Sequence, residues 1–344
     1  MKCALIGAGM VAQTHLDAIA DIPGLSLSAV IARGSQSAQD FAERATAKLG
    51  YAVPLLRELG DIPAADTPDF AIIATPPDAR LAFVQHLAQA NIPILIEKPL
   101  ERTFEAAQEI VEICADADIP LGVFLQHRVR AASRALKDAV QDGVLGDIAT
   151  VGIQVPWWRA QSYYDAPGRG TRSRDGGGVV ITQAIHALDL AIWVAGPVQT
   201  LQATMHKTPL HDLEAEDWAS AILQFENGAV GSFTATTAAY PGSVETIRLQ
   251  GTKAHARLQG GALEIHHLDG RTETLGQEAA TGGGADPMAF THDWHRDVIQ
   301  DFIACLASRA APVASGTSAL PVHAVIDTME RASASGHREK VIKP

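Results

Sequence analysis

Little in this sequence carries positive charge: 27 lysines and arginines stand against 39 aspartates and glutamates, a formal net charge of −12. On average such a surface repels nucleic acid and anionic lipid, so neither is expected as the main partner. A small anion is a different case, because one local arginine cluster outweighs the mean field. Cysteine is equally scarce. Cys3, Cys114 and Cys305 lie far apart with no CxxC pair, which speaks for scattered reduced thiols rather than a disulfide framework. No apolar run approaches the roughly 20 residues needed to cross a bilayer. The run after Met1 is too short for a signal segment and leads at once into a turn. The expectation is a soluble, cytoplasmic protein. Internal repeats and low-complexity segments are absent from the pattern.

What the chain does have is core: 344 residues, 47% hydrophobic and only 19% charged, enough for two domains without metals or disulfides. The first third alternates short apolar runs (4–6, 26–32, 69–74, 94–96 and 120–124) with helical patterns that include Arg80 to Gln89 and Thr103 to Ala117. Near-continuous apolar strands separated by helices predict a parallel sheet buried on both faces, the doubly wound α/β arrangement. After Phe124 the pattern changes. A helix from Ala131 to Asp142 is followed by longer runs of period-two character, among them 148–155, 198–206, 218–225, 229–236, 246–249 and 262–267. These predict a large, mostly antiparallel open sheet in an α+β domain, with helices over Val179 to Val194 and Trp294 to Ala307 covering one face. The expected division is therefore 1–124, a Rossmann domain, and 125–344, a substrate-binding and oligomerisation domain. The Gly282-Gly283-Gly284 run reads as a loop.

Gly7-Ala8-Gly9-Met10-Val11-Ala12 is a GxGxxA motif set between the first strand and the first helix. The first glycine permits the tight turn, the second lets a diphosphate approach the backbone, and the small third residue lets helix and strand pack closely. Gly7, Gly9, Met10 and Val11 are the expected diphosphate contacts, through N–H groups at a helix start. The second strand ends at Ala32-Arg33-Gly34-Ser35, without the acidic residue that an NAD site usually presents to the ribose. Arg33 and Ser35 are suited to a 2′-phosphate, which favours NADP over NAD; Arg33 stacked on adenine, or merely solvated, is the competing reading. Thr75-Pro76-Pro77 closes the third long run at the same edge.

Glu97-Lys98-Pro99 closes the fourth. A lysine beside a nicotinamide, near its positive ring and partly out of water, is pushed toward its neutral form and suits proton exchange near neutral pH. From the tripeptide alone, a surface lysine after a strand is the commoner outcome. Gly176-Gly177-Gly178 then leads a helical run in which Thr182, His186 and Asp189 are spaced i, i+4 and i+7 and share a face. A lone histidine on an apolar helix is more often structural; its spacing from Thr182 and Asp189 raises the odds of acid–base work.

With GAGMVA, EKP and GGG-x7-H-x2-D in this order, the chain resembles the glucose–fructose oxidoreductase / inositol dehydrogenase / MocA family over nearly its whole length. The resemblance implies a Rossmann domain followed by an α/β domain whose open sheet often mediates oligomerisation, here a homodimer or homotetramer. It implies that Lys98 is the catalytic or orienting lysine, that the Lys98–Pro99 bond is cis, and that His186 is the second catalytic residue. Many members carry aspartate four residues before that histidine. This chain has Thr182, which hydrogen-bonds a hydroxyl but cannot be a carboxylate base, so proton transfer falls to Lys98 and His186.

Gln126-His127-Arg128 follows the last Rossmann strand, and the resemblance turns this segment toward the site, with Gln126 near the cofactor together with Thr75, Pro76, Glu97 and Lys98. Arg128, Trp157, Trp158, Arg159, Tyr163, Arg172, Thr182 and Gln183 are the expected substrate-facing residues beside Lys98 and His186. Aromatic faces pack on pyranose C–H faces and arginines fork onto carboxylates or phosphates, although the same residues serve cores equally well. The pairs His292/His295, His266/His267 and His206/His211 lack a third ligand at metal spacing and read as surface histidines; no metal is expected. The function these features imply is hydride transfer between a nicotinamide and a secondary alcohol or ketone of a sugar, polyol, sugar acid or nucleotide sugar. A redox-assisted glycoside hydrolase or epimerase that retains its cofactor, and a non-catalytic NAD(P) sensor, are the alternatives.

Overall fold

The computed structural model describes residues 1–278 and 290–343, so the expected loop at 282–284 lies outside the described residues. Two compact units emerge. The first comprises Met1–Glu101, Glu105–Gln126 and His292–Ser318; the second comprises Arg102–Phe104, His127–Thr291 and Ala319–Pro344. A single cut after residue 124 therefore misses the return of His292–Ser318 to the first unit.

The first unit is built on six parallel strands, β1 (Lys2–Ile6), β2 (Ser26–Ile31), β3 (Leu55–Leu56), β4 (Phe70–Ile73), β5 (Ile94–Ile96) and β6 (Leu121–Val123), in the order β3-β2-β1-β4-β5-β6. That is the Rossmann order. All four residues of β4 and all three of β5 are buried, as strands covered on both faces require. Helices α1 (Ala12–Ala20), α2 (Gln36–Leu49), α3 (Leu81–Gln89) and α4 (Phe104–Asp116) form the crossovers. Ser35 caps α2, its Oγ accepting from the Ala38 amide, and Gly50 ends it in the left-handed region.

The helix Asp293–Ser308 was expected over the second domain's sheet. Instead it belongs to the first unit and packs on α1. Its buried stripe of Val298, Ile299 and Phe302 dictates this. Phe302 meets Phe70 edge to face at 5.6 Å, and Gly122 in β6 makes room, since a Cβ there would stand 2.8 Å from the Phe302 ring.

Among the described residues the second unit carries nine strands: β7 (Ile148–Pro156), β8 (Val198–His206), β9 (Trp218–Phe225), β10 (Val230–Thr236), β11 (Thr246–Gly251), β12 (Ala254–Gln259), β13 (Ala262–His267), β14 (Thr272–Leu275) and β15 (Glu339–Lys340), ordered β14-β13-β12-β11-β7-β10-β9-β8-β15. Only the β7/β10 pair is parallel; all other neighbours are antiparallel. Helix α5 (Ala131–Gln141) packs on β12 and β13. Two short helices follow, α6 (Gln161–Tyr164) and α7 (Arg172–Asp175). Helix α8 (Ile185–Ala195) packs on β7 and β11, and all but one of its residues are buried. The helical run Arg172–Ala195 is apolar enough to pass for a membrane span, but 89% of its most apolar 18-residue window is buried inside the protein.

The run of three glycines is explained here by protein rather than by ligand. Gly176 sits at φ +85° against Arg102, and a Cβ on Gly178 would lie 1.7 Å from the Glu216 carbonyl oxygen. The Glu216 carboxylate accepts the amides of Gly178 (3.0 Å) and Val180 (3.1 Å), and its carbonyl accepts that of Val179 (2.9 Å). Donors at the start of the helical run that would otherwise be orphaned are thus satisfied from one residue. Gly178→Ala is expected to cost about 3 kcal/mol or more in a denaturant melt. Gly9→Ala, where nothing lies within 4 Å of the added methyl, should stay within about 0.5 kcal/mol of the parent.

Candidate functional site

In the first unit, the motif residues gather at the carboxyl ends of β2, β1, β4, β5 and β6. Gly7, at φ +106°, donates to Ile31, and a Cβ on it would meet Ala74 at 2.9 Å, so only glycine fits. Gly9 and Met10 are exposed, and the space above Gly9 is open. Val11 sits at the N-cap of α1 with no side-chain cap. Two polar atoms here are buried without a hydrogen-bond partner among the described residues, Thr75 Oγ1 and Gln126 Oε1. Buried polar atoms are normally satisfied, so both point to a polar group supplied from outside. Open backbone at a helix start, together with two orphaned polar atoms, fits a dinucleotide.

Below this edge, Arg80 holds two loops. It is 2% exposed; its Nε and Nη2 donate to the Thr75 carbonyl at 3.0 and 2.8 Å, while Nη1 reaches the carbonyls of Glu97, Pro99 and Leu100. Burial lowers its pKa to about 10, against the pull of Glu97 and Glu101. One cation thus ties the TPP loop to the EKP loop, and the Lys98–Pro99 bond between its acceptors is cis.

Glu97 points inward rather than toward the cofactor edge. Its Oε1 accepts from His15 Nε2 at 3.0 Å and lies 3.6 Å from His295 Nε2; Oε2 accepts the Lys98 amide at 3.2 Å. Facing a carboxylate, both imidazoles present a donor at Nε2. Burial alone would raise the Glu97 pKa, but the two histidines outweigh it and hold the carboxyl well below its usual range, while burial lowers His295. His295 was expected at the surface and is 1% exposed; its helix carries it beneath the EKP loop.

In the second unit, His186 is buried on α8, with His127 stacked on it at 5.0 Å. Thr182 lies within a π-helical turn, Val180–Ala184, which breaks the phase assumed between 182 and 186. Its hydroxyl donates to the Gly178 carbonyl at 2.5 Å and touches Gln183. Gln183 in turn donates to Tyr163 at 3.2 Å. The Arg159 guanidinium lies 5.3 Å from the Trp157 ring centroid and 5.5 Å from that of Tyr163. Trp157, Arg159, Tyr163, Thr182 and Gln183 are thus brought together in a chain of contacts, while Trp158 packs instead on His211 and Tyr240.

Other expected substrate contacts have different work. Arg128 is 2% exposed and forks onto Asp189, Nε to Oδ2 at 2.8 Å and Nη2 to Oδ1 at 2.5 Å. This buried pair fixes the segment after Gln126 to α8 and removes both residues from acid–base or substrate roles. Arg172 reaches Glu330 at 2.8 Å. His211 is not a surface histidine either; it is buried between Asp217 (2.7 Å) and the Arg159 carbonyl (2.8 Å). All three cysteines are free and buried.

Residues 1–125 match the family model for the oxidoreductase family with an NAD-binding Rossmann fold, and residues 133–257 match that for the GFO/IDH/MocA C-terminal domain. The chain belongs to the GFO/IDH/MocA oxidoreductase family. Among family members, D-apiose dehydrogenase of Paraburkholderia graminis is 26% identical over 335 residues, covering 95% of this chain and 86% of the relative. Inositol 2-dehydrogenase of Rhizobium meliloti is 25% identical, covering 97% of each. The WlbA dehydrogenase of Bordetella pertussis, solved with NADH and UDP-GlcNAcA, superposes with a TM-score of 0.82 at 28% identity over 100% of this chain and 99% of that one. Like its relatives, this chain is an oxidoreductase with an NAD-binding Rossmann fold.

Sequence reasoning missed Arg80, His15 and His295. His15 had a signal, a polar residue amid the buried stripe of Ala12, Leu16 and Ile19. Arg80 and His295 had none, because Arg80 works by joining two loops, from Thr75 to Leu100, and His295 meets Glu97 from the far end of the chain. The cluster predicts a pH dependence of stability. His295 and Glu97 both have folded values below their ordinary ones, near 6.5 and 4.5, so each makes the folded state favoured at neutral pH and loses that contribution on acidification. The melting temperature should fall as pH drops below about 6.5 and fall again below about 4.5; in His295→Gln the first decline should flatten.

Proposed function

We propose that the protein oxidises a secondary alcohol of a sugar-like molecule, or reduces the matching ketone, with NADP preferred to NAD. The observation that carries the reading is the pair of orphaned polar atoms, Thr75 Oγ1 and Gln126 Oε1, at the carboxyl edge that also holds the GxGxxA turn and Lys98. Gly7, Gly9, Met10 and Val11 would hold the diphosphate; Thr75, Pro76, Lys98 and Gln126 would border the rest, with Glu97 supporting them from beneath. When bound, the nicotinamide supplies the hydride acceptor or donor.

The chain's own residues supply the proton chemistry. Lys98 accepts the hydroxyl proton on oxidation and returns it on reduction, its backbone held by the Glu97 carboxylate and the Arg80 clamp. His186 hydrogen-bonds the substrate oxygen, and the Thr182 hydroxyl orients a neighbouring hydroxyl. Trp157, Arg159, Tyr163 and Gln183 line the sugar. D-Apiose, inositol and UDP-GlcNAcA, the compounds named for the relatives, are all polyhydroxylated rings or carry them, which supports this substrate class. One face of the second unit's sheet leaves Ile222 66% and Val230 53% exposed, which supports pairing with a second copy into a homodimer or homotetramer.

Lys98→Ala and His186→Ala should each lower kcat by about 100-fold or more while dinucleotide affinity stays within about three-fold, as read by NAD(P)H absorbance and by calorimetry. Normal turnover in both variants would remove the role assignment.

NADP preference rests on Arg33 and on Arg57, whose guanidinium lies 3.5 Å from where a Cβ on Gly34 would stand. Neither has a carboxylate partner among the described residues. Arg33→Ala should weaken NADP binding by roughly ten-fold, worth about 1.4 kcal/mol, and leave NAD unchanged; equal losses for both cofactors would remove the preference.

A further inference from the structure

Arg169 is a cation without a counter-ion among the described residues. It is half-buried between α6 and α7, and its guanidinium lies 4.4 Å from the Tyr163 ring centroid. Nη1 donates to the Tyr163 hydroxyl at 2.6 Å. No carboxylate pairs with it among the described residues, and its Nε, though buried, has no hydrogen-bond partner there. The acids nearest in sequence are engaged elsewhere. Asp165 accepts from Gln161 at 3.0 Å, and Asp175 accepts the Gly170 amide at 2.8 Å and pairs with Arg174 at 3.3 Å.

The geometry of the guanidinium narrows what it can take. With one Nη1 hydrogen committed to Tyr163, Nε and Nη2 together keep the edge that forks side-on to two oxygens. The same unit shows that edge in use, where Arg128 grips Asp189 through Nε and Nη2. Tyr163 also holds Gln183, the neighbour of Thr182, so Arg169 is joined through one hydroxyl to the helical run that carries His186.

We propose that Arg169, oriented by Tyr163, receives an oxyanion of the substrate, a carboxylate or a phosphate, and so makes this enzyme selective for acidic sugars over neutral ones. This rests on the reading of the second unit as the sugar-binding part. Net charge of the whole chain opposes such a ligand, and the Arg159 and Arg169 guanidiniums on one tyrosine ring reverse that field locally.

Binding, not turnover, tests it. Cofactor-loaded protein is titrated calorimetrically with glucuronate, glucose 6-phosphate and glucose, with the galacto-series, and with UDP-glucuronate against UDP-glucose. At least one acid or phosphate should bind ten-fold or more tightly than its neutral parent, and the tighter of the two names the anion. Arg169→Met should erase that preference while affinity for the neutral parent stays within two-fold. Arg169→Lys, which keeps charge without the fork, should lose at least five-fold of the preference and serves if the methionine variant does not fold. Anions that bind no better than neutral sugars in every series would overturn the proposal. So would a preference that survives in both variants, or equal weakening of acid and parent. A protein that binds sugar anions without oxidising any would instead sink the dehydrogenase reading and leave this assignment standing.

Discussion

The first unit depends on a guanidinium that has no salt bridge among the described residues. Arg80 is buried, and every hydrogen bond it makes ends on a main-chain carbonyl, of Thr75 on one loop and of Glu97, Pro99 and Leu100 on the other. Carbonyls at the ends of short strands are acceptors that the sheet no longer uses, and a buried cation needs several of them. The result is that the loops after β4 and β5 are set by one rigid planar group rather than by their own turn preferences. Glu97 repeats the logic from beneath. Its carboxylate takes the Lys98 amide on one oxygen and the two histidines on the other. The lysine's backbone is therefore held between a cation and an anion, neither of which reaches the reacting atoms. This is how a site acquires precision, through buried supporting groups that hold the backbone of the reactive residue.

The second unit uses a comparable device with different parts. The Arg128–Asp189 fork ties the segment after Gln126 to α8, and Glu216 satisfies the amides that start the run toward His186. Losing either member of the fork would leave a buried charge uncompensated, and losing the Glu216 carboxylate would orphan two buried amides, which makes these groups costly to lose. The π-helical turn between them widens the backbone at Thr182, a local irregularity of the kind that recurs at functional sites.

Much of this was legible beforehand. The parallel strands of the first unit appear as continuous apolar runs because both faces are buried, and β8, β9 and β13 coincide in extent with their period-two patterns. GxGxxA and EKP could be assigned to the carboxyl edge because each directly follows an apolar run. What could not be read was pairing over long separations. The sequence carries no mark that distinguishes Arg128 as a partner of Asp189 from Arg128 as a ligand to substrate, since both roles demand the same planar fork. The helix Asp293–Ser308 shows the same limit. Its amphipathic stripe announces that it covers an apolar surface, not which one, and the deciding feature is a glycine in β6 that admits Phe302. Gly176 to Gly178 were read correctly as a close approach, but the approaching group is Glu216 and Arg102 rather than a ligand.

The first unit is discontinuous along the chain, with His127–Thr291 of the second unit inserted between its two main parts. During synthesis, Glu97 therefore emerges with His15 already available, and must wait for nearly two hundred further residues before His295 exists to complete its surroundings. Strands β7 to β14 of the second unit can assemble in that interval, before the surroundings of Glu97 are complete, and only β15 follows later. A dinucleotide fold that reads as an N-terminal module is in this chain a structure closed from its far end.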